Sequence, residues 1–312
     1  MLSLYCSFQA LEGLALVQDL PNFERSGQIL AEVRDHVKRM SIRGMRVIQV
    51  CEDVENKIRG LGGGLAFPCN VGINEVAAHY TSPWNDETMV PDRSIVKVDF
   101  GVEIEGCITD TSITISLDPI YDSLVVAAEV ALQEAISAVA PGRRLSEVGG
   151  IVERAIGRYG FRPIRNLTGH KIERYSLHAG KSVPNVSGME SGRFEEGEIY
   201  AIEPFATQKE AEGVVKERPP AYIFRFVRTK GAKSKSAYRL AEHIQTRYKS
   251  LPFASRWILR DNEEETRVAF LELVENRSIA GYPVLVEASG GTVAQAEHTV
   301  LVTRDGCKVL TG

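Results

Sequence analysis

Apolar positions recur at three- and four-residue spacing in four stretches of the chain. In residues 23–40 they are Ile29, Leu30, Val33, Val37 and Met40, a spacing that predicts an amphipathic helix. Residues 46–61 repeat it with Val47, Val50, Val54, Ile58 and Leu61, and stop at Gly62-Gly63-Gly64, a strong breaker. Two more helices are predicted over 121–140, ended by Pro141-Gly142, and over 145–159. Four segments read instead as strands, alternating or rich in β-branched side chains: 95–102, 107–117, 198–203 and 293–302. The first two flank a turn around Glu103–Gly106 and form a predicted hairpin.

Two of the helical stretches echo each other. Residues 43–62 lie over 141–160 with Gly44/Gly142, Arg46/Arg144, Val50/Val148, Val54/Val152, Glu55/Glu153, Ile58/Ile156 and Gly62/Gly160 as identical pairs. This predicts two similar halves, each a helix pair feeding a sheet, and a cleft between halves is a common ligand site. Between Arg228 and Pro283 the character changes to a basic helical stretch followed by a second amphipathic helix. The expected organisation is an N-terminal extension over 1–22, a catalytic domain over 23–227 and 284–312, and an all-α insertion over 228–283.

Composition narrows the class of function. The chain has 312 residues, 44% hydrophobic and 25% charged, ordinary usage for a folded globular chain. A formal net charge of −4 gives no sign of bulk nucleic-acid or anionic-membrane binding. The first residues carry no basic segment before Arg25, which argues against a signal peptide, and no apolar run is long enough to span a membrane. The cysteines at 6, 51, 69, 107 and 307 form no CxxC, which fits a reducing cytoplasm and argues against a thiolate zinc site. GLGGGL at 60–65 misses the dinucleotide-binding pattern, and HExxH, Walker A and GxSxG motifs are absent.

Charges out of place supply the candidate chemistry. With the hairpin turn centred between Ile104 and Glu105, Asp99 stands directly opposite Asp110, an arrangement that like charges disfavour. Either both aspartates face solvent, or a cation lies between them. Glu203 ends an apolar strand in YAIEP, and Glu297 interrupts small and β-branched residues in AQAEHTV. His170 follows a glycine in TGHKI, and His79 and His178 stand in AAHYTSP and YSLHAGKSVP. Each alone fits an ordinary buried or capping role. Four acids in or beside predicted strands, with one histidine, fit ligands for divalent metals.

The stretches 66–83, 96–115, 166–186, 197–207, 253–260 and 294–302 resemble the type 2 methionine aminopeptidases of the archaeal and eukaryotic kind. The resemblance runs over roughly residues 23–312. It implies the pseudo-twofold pita-bread α/β fold with a helical insertion, and two divalent ions drawn from Co, Mn, Fe or Zn. Asp99 would chelate one ion, Asp110 and Glu297 would bridge both, and His170 and Glu203 would complete the second. The implied reaction removes the initiator methionine before a small second residue, by attack of an activated hydroxide on the methionine carbonyl. His178 would donate to the developing oxyanion, His79 would contact the scissile amide nitrogen, and Glu203 would shuttle the proton. Phe67, Leu177, Phe205 and Tyr282 would line the methionine pocket, with His79 and His178 beside the substrate. Expected partners are nascent polypeptide N-termini, at the ribosome if the basic run Arg228–Arg239 touches its RNA. The expected protein is a cytoplasmic monomer that binds neither DNA nor membrane. Two rivals share the scaffold: an enzyme cleaving X-Pro bonds, and a non-catalytic relative, which would be expected to lose metal ligands.

Overall fold

The computed structural model describes residues 2–189, 192–260 and 263–312, with side chains described from residue 19 onward. Met1, and the side chains of the expected extension up to residue 18, Cys6 among them, lie outside the described residues. The backbone of that segment is continuous with the first predicted helix: α1 spans Leu2–Arg39, with Pro21 inside it. Ile29, Leu30, Val33 and Val37 on α1 are fully buried, as their spacing predicts.

The internal repeat is structural. Helix α2 (Val47–Gly60) and helix α4 (Leu145–Arg158) each follow an extended arginine, Arg46 at φ −68°, ψ 139° and Arg144 at φ −71°, ψ 137°. Each runs into a left-handed glycine, Gly62 at φ 84° and Gly160 at φ 80°, a conformation that carries no steric cost only without a Cβ. The paired glutamates do the same work in both halves. Glu55 accepts the backbone N–H of Cys69 at 3.2 Å, and Glu153 accepts that of Ser187 at 3.0 Å, so each helix ties down a later loop. Helix α3 (Asp122–Ala138) partners α4 as α1 partners α2.

In the N-terminal half, strand Ile95–Ile104 pairs with Asn70–Ile73 on one side and with Cys107–Ser116 on the other. In the C-terminal half, the sheet runs Gly306–Val309, His298–Thr303, Ile199–Ile202, Thr168–Ile172, Ser182–Pro184. Hydroxyls join the halves where no ladder does. Thr299 Oγ1 accepts from Asp110 N at 2.7 Å and donates to Asp110 O at 2.8 Å. Thr111 Oγ1 donates to Glu297 O at 2.7 Å, and Thr114 Oγ1 to Gln295 O at 2.5 Å. That is why a strand buried over eight of its ten residues reads CITDTSITIS rather than as a run of aliphatics.

Two sequence expectations about strands are corrected. The hairpin turn sits at Glu105 and Gly106, with φ of 51° and 86°, the two positive values of a type I′ turn. The register therefore differs by two residues from the expected one: Asp99 faces Ser112, and Asp110 faces Gly101. Because the difference is even, both aspartates keep the same face. The predicted strand 293–302 is also broken, into Val293–Gln295 and His298–Thr303.

The span between Phe226 and Ile279 holds helices α5 (Lys235–Tyr248), α6 (Ser255–Leu259) and α7 (Glu264–Glu275). It is not wholly helical, since Phe253–Ala254 adds a short strand against Ile223–Phe224. Residues 279–283, expected within the helical segment, belong to strand Ile279–Glu287, the antiparallel partner of Val215–Phe226. Pro219-Pro220 masked that hairpin in the sequence, and a register shift between Arg218 and Ala221 accommodates it. Arg228, Lys230, Lys233, Lys235 and Arg239 are all exposed. Among the described residues no helix is long and apolar enough to cross a membrane.

A buried ion pair fastens the helical segment to α2. Glu55 binds the Arg256 guanidinium and accepts from Trp257 Nε1 at 3.0 Å, while Arg256 donates to Thr81 Oγ1 at 2.5 Å and Ser82 O at 3.0 Å. Removing one partner of such a pair strands the other. Arg256→Leu should therefore lower the unfolding free energy by about 3–5 kcal/mol. Urea unfolding at unchanged slope checks this, and a Glu55→Leu/Arg256→Leu double variant should recover part of the loss.

Candidate active site

All four out-of-place acids converge. Asp99 and Asp110 lie diagonally on one face of the hairpin, a relation that sets residues roughly 7–8 Å apart. Glu203 and Glu297 come from the strand breaks. Ile199–Ile202 pairs with His298–Thr303 so that Ile202 faces His298, and beyond the gap Phe205 faces Gln295 in the same register. Glu203 thus stands across from Glu297, where neither belongs to a ladder. The direct opposition of like charges expected for the two aspartates exists instead for the two glutamates. His170 enters from strand Thr168–Ile172 in the middle of the C-terminal sheet. Its Nε2 lies 3.5 Å from Glu203 Oε1 and 3.7 Å from Asp110 Oδ2. One ligand atom each of Asp110, His170 and Glu297 lies within 4.8 Å of the other two.

The electrostatics follow from burial. Asp99 is pushed up to about 7 by desolvation, against which Asn70 Nδ2, donating at 3.3 Å, works only in part. Asp110 is held well above the usual carboxylate range by burial and then by the charges of Asp99 and Glu203. Burial also raises Glu203, with Asp99 adding to it, and Glu297, with Asp110, Glu203 and Asp99 adding to it. The nearby cation, Arg34 of α1, spends its guanidinium on Glu297 O at 3.1 Å, Ser112 O at 3.1 Å and Thr111 Oγ1 at 2.5 Å rather than on a carboxylate. His170 is depressed far below its ordinary value by burial and then by His178, so it is a neutral imidazole with a free lone pair to offer.

This set fits a divalent metal. Asp99 Oδ1, Asp110 Oδ1 and Glu297 Oε1 are buried without a hydrogen-bond partner. Buried acceptors left orphaned are costly unless something charged meets them. Four carboxylates and one imidazole suit hard to borderline divalent ions.

The residues around the acids form a cleft of about 200 Å³. Each metal-ligand, catalytic and pocket residue expected from the sequence lines it: Phe67, His79, Asp99, Asp110, His170, Leu177, His178, Glu203, Phe205, Tyr282 and Glu297. His79 has φ of 63°, a left-handed backbone rare outside glycine, and its ring meets Tyr282 edge-on at 5.6 Å. Burial and then His178 lower its pKa to about 4, so it too is neutral at physiological pH. The His178 ring lies 4.2 Å from that of His170, and desolvation lowers its pKa. Gly101 makes room for Phe67, whose ring would lie 2.4 Å from a Cβ there. Sequence reasoning did not find Asn70, Ile223, Pro252 and Leu285, which also line the cleft. Ile223 and Leu285 sit in the hairpin hidden by Pro219-Pro220, and Asn70 carried no charge to mark it.

The model of the metallopeptidase family M24 matches residues 21–304. The methionine aminopeptidase of Methanocaldococcus jannaschii is 41% identical over 286 residues, covering 92% of this chain and 96% of its own. That of Thermococcus onnurineus is 43% identical over 289 residues, covering 92% and 97%. Among solved structures, a thermophilic Arx1 superposes with a TM-score of 0.80 at 19% identity, covering 95% of this chain and 91% of its own. The methionine aminopeptidase of Thermotoga maritima does so at 0.66 and 21% identity, covering 94% and 96%. These two likenesses speak to the fold, the two-halved pita-bread arrangement.

Proposed function

The chain belongs to metallopeptidase family M24, and on that premise we propose that it is a methionine aminopeptidase releasing the first residue of chains whose second residue is small. The observation carrying this reading is the cleft itself, where four acids, Asp110 and Glu297 buried and Asp99 and Glu203 partly so, adjoin with His170 an apolar wall of Phe67, Leu177, Phe205 and Tyr282. Such a wall suits an unbranched thioether side chain. Relatives at about 40% identity that bear the methionine aminopeptidase name favour it over X-Pro cleavage.

Asp99, Asp110, His170, Glu203 and Glu297 would hold two divalent ions, whose positive charge balances the four carboxylates. Bound there, the ions would supply Lewis acidity and lower the pKa of water enough to make a nucleophile at neutral pH. The protein's own groups do the rest. Glu203 takes up the proton released as the nucleophile adds to the methionine carbonyl, and returns it to the leaving amine. His178, neutral, donates a hydrogen bond to the carbonyl oxygen as it gains charge. His79 turns its neutral ring toward the scissile amide nitrogen. Nascent polypeptide N-termini are the substrate class, and the exposed basic run Arg228–Arg239 is a face open to ribosomal RNA.

Peptides Met-Gly, Met-Ala, Met-Trp and Ala-Pro test the specificity. Met-Gly and Met-Ala should exceed Met-Trp by at least about tenfold in kcat/KM, since a bulky second residue must displace packed groups at His79. Equal turnover of Met-Gly and Met-Trp, or a preference for Ala-Pro, would overturn the reading.

A further inference from the structure

We infer that Gln295 is a positioning residue that sets both glutamates of the site at once. It is the last residue of strand Val293–Gln295, immediately before the break, and is 1% exposed. Its backbone is clamped on both sides by one hydroxyl: Gln295 N donates to Thr114 Oγ1 at 2.9 Å, and Thr114 Oγ1 donates to Gln295 O at 2.5 Å. The side-chain oxygen accepts from Ser112 Oγ at 3.0 Å. The side-chain nitrogen donates to Glu203 Oε2 at 3.3 Å and to Glu297 Oε2 at 3.4 Å.

The chemistry of the partners fixes the amide's orientation. A carboxylate that holds a cation is ionised and only accepts, so the NH₂ end must face the two glutamates, and the serine hydroxyl can serve the oxygen end. One NH₂ has two protons, one for each glutamate, so a single neutral group bridges two acids that stand opposite each other. Each glutamate keeps its other oxygen. Glu203 Oε1 turns toward His170, and Glu297 Oε1 is buried without a partner. A lysine here would cancel the charge that holds a cation, and a fifth acid would add repulsion. An amide orients the carboxylates and leaves their charge intact.

This inference rests on the reading of the acids as metal ligands, and the experiment separates the two. Protein stripped with chelator is titrated with Mn²⁺ by calorimetry, for the wild type, for Gln295→Met and for Ser112→Ala. Gln295→Met keeps the length of the side chain and removes every donor. Its Mn²⁺ affinity should fall about 10- to 100-fold, the range seen when groups orienting metal ligands are removed. At saturating Mn²⁺ its kcat should fall while the KM for Met-Gly peptide stays, because Gln295 is not among the cleft-lining residues. Ser112→Ala leaves the amide but frees it to turn, and should weaken Mn²⁺ by at least about threefold. It carries the test if Gln295→Met does not fold. A folded variant that binds Mn²⁺ as the wild type does, losing only metal-free stability, would reduce Gln295 to packing and overturn the inference. A wild type that takes up no Mn²⁺ overturns the metal reading and this inference with it.

Discussion

Asp110→Asn should abolish measurable methionine release and most of the rise in melting temperature that Mn²⁺ or Co²⁺ gives the wild type. A metal that binds the folded site and not the unfolded chain stabilises by about 2.7 kcal/mol at a hundredfold excess over Kd. Asp110 is central to that gain, since its carboxylate reaches both His170 and the glutamate cluster. The metal-free variant should be no less stable than the metal-free wild type near neutral pH, because the substitution removes one of four mutually repelling acids. The pH dependence has a definite sign. The four acids have pKa values raised in the folded state, Asp99 to about 7, against roughly 4 when unfolded. Between those values the folded metal-free protein binds more protons than the unfolded chain, so the site's contribution to stability falls as pH rises. Metal binding runs the other way, because protons compete for the same oxygens. The gap between metal-loaded and metal-free melting temperatures should therefore widen from about pH 5.5 to about pH 7.5 in the wild type and stay small in Asp110→Asn. Equal metal-dependent shifts in the two proteins would mean that the acids do not act as one site.

His178→Ala should lower kcat by about 10²–10³-fold, the usual effect of losing one donor to an oxyanion, with little change in KM. A hydrogen bond that strengthens only as the carbonyl oxygen gains charge is felt in the transition state and not in substrate binding. His178 lines the cleft beside His170 without being one of the acids' hydrogen-bond partners. Metal content should accordingly be unchanged, which separates this role from that of a ligand. A variant with near-normal kcat, or one that loses its metal, contradicts the assignment.

The residues of the site were legible because charge is conspicuous in an apolar strand. Asp99, Asp110, Glu203 and Glu297 each interrupt a β-type pattern, and the halves they come from were announced by Gly44/Gly142 and Gly62/Gly160, which need left-handed backbone. How the acids meet was not legible. The hairpin register depends on where two residues turn, and Glu105-Gly106 gives the same alternation as a turn one residue earlier. The strand breaks at Glu203-Pro204 and Ala296-Glu297 exist because two strands are interrupted at the same level, a property of their pairing and of neither sequence. Gln295 carries no charge and sits in a run of small residues, so its place between two carboxylates appears only in three dimensions. The hairpin bearing Ile223 and Tyr282 is obscured in the sequence by Pro219-Pro220, so the place of Ile223 on the cleft wall shows only once the strands are paired.

The most direct test of a metal-dependent methionine aminopeptidase is the release of free methionine from a Met-Gly peptide by chelator-stripped protein, before and after adding Mn²⁺ or Co²⁺. The four acids and His170 predict no turnover before addition and full turnover after it. Equal turnover with and without metal, or none with any divalent ion, would contradict the account.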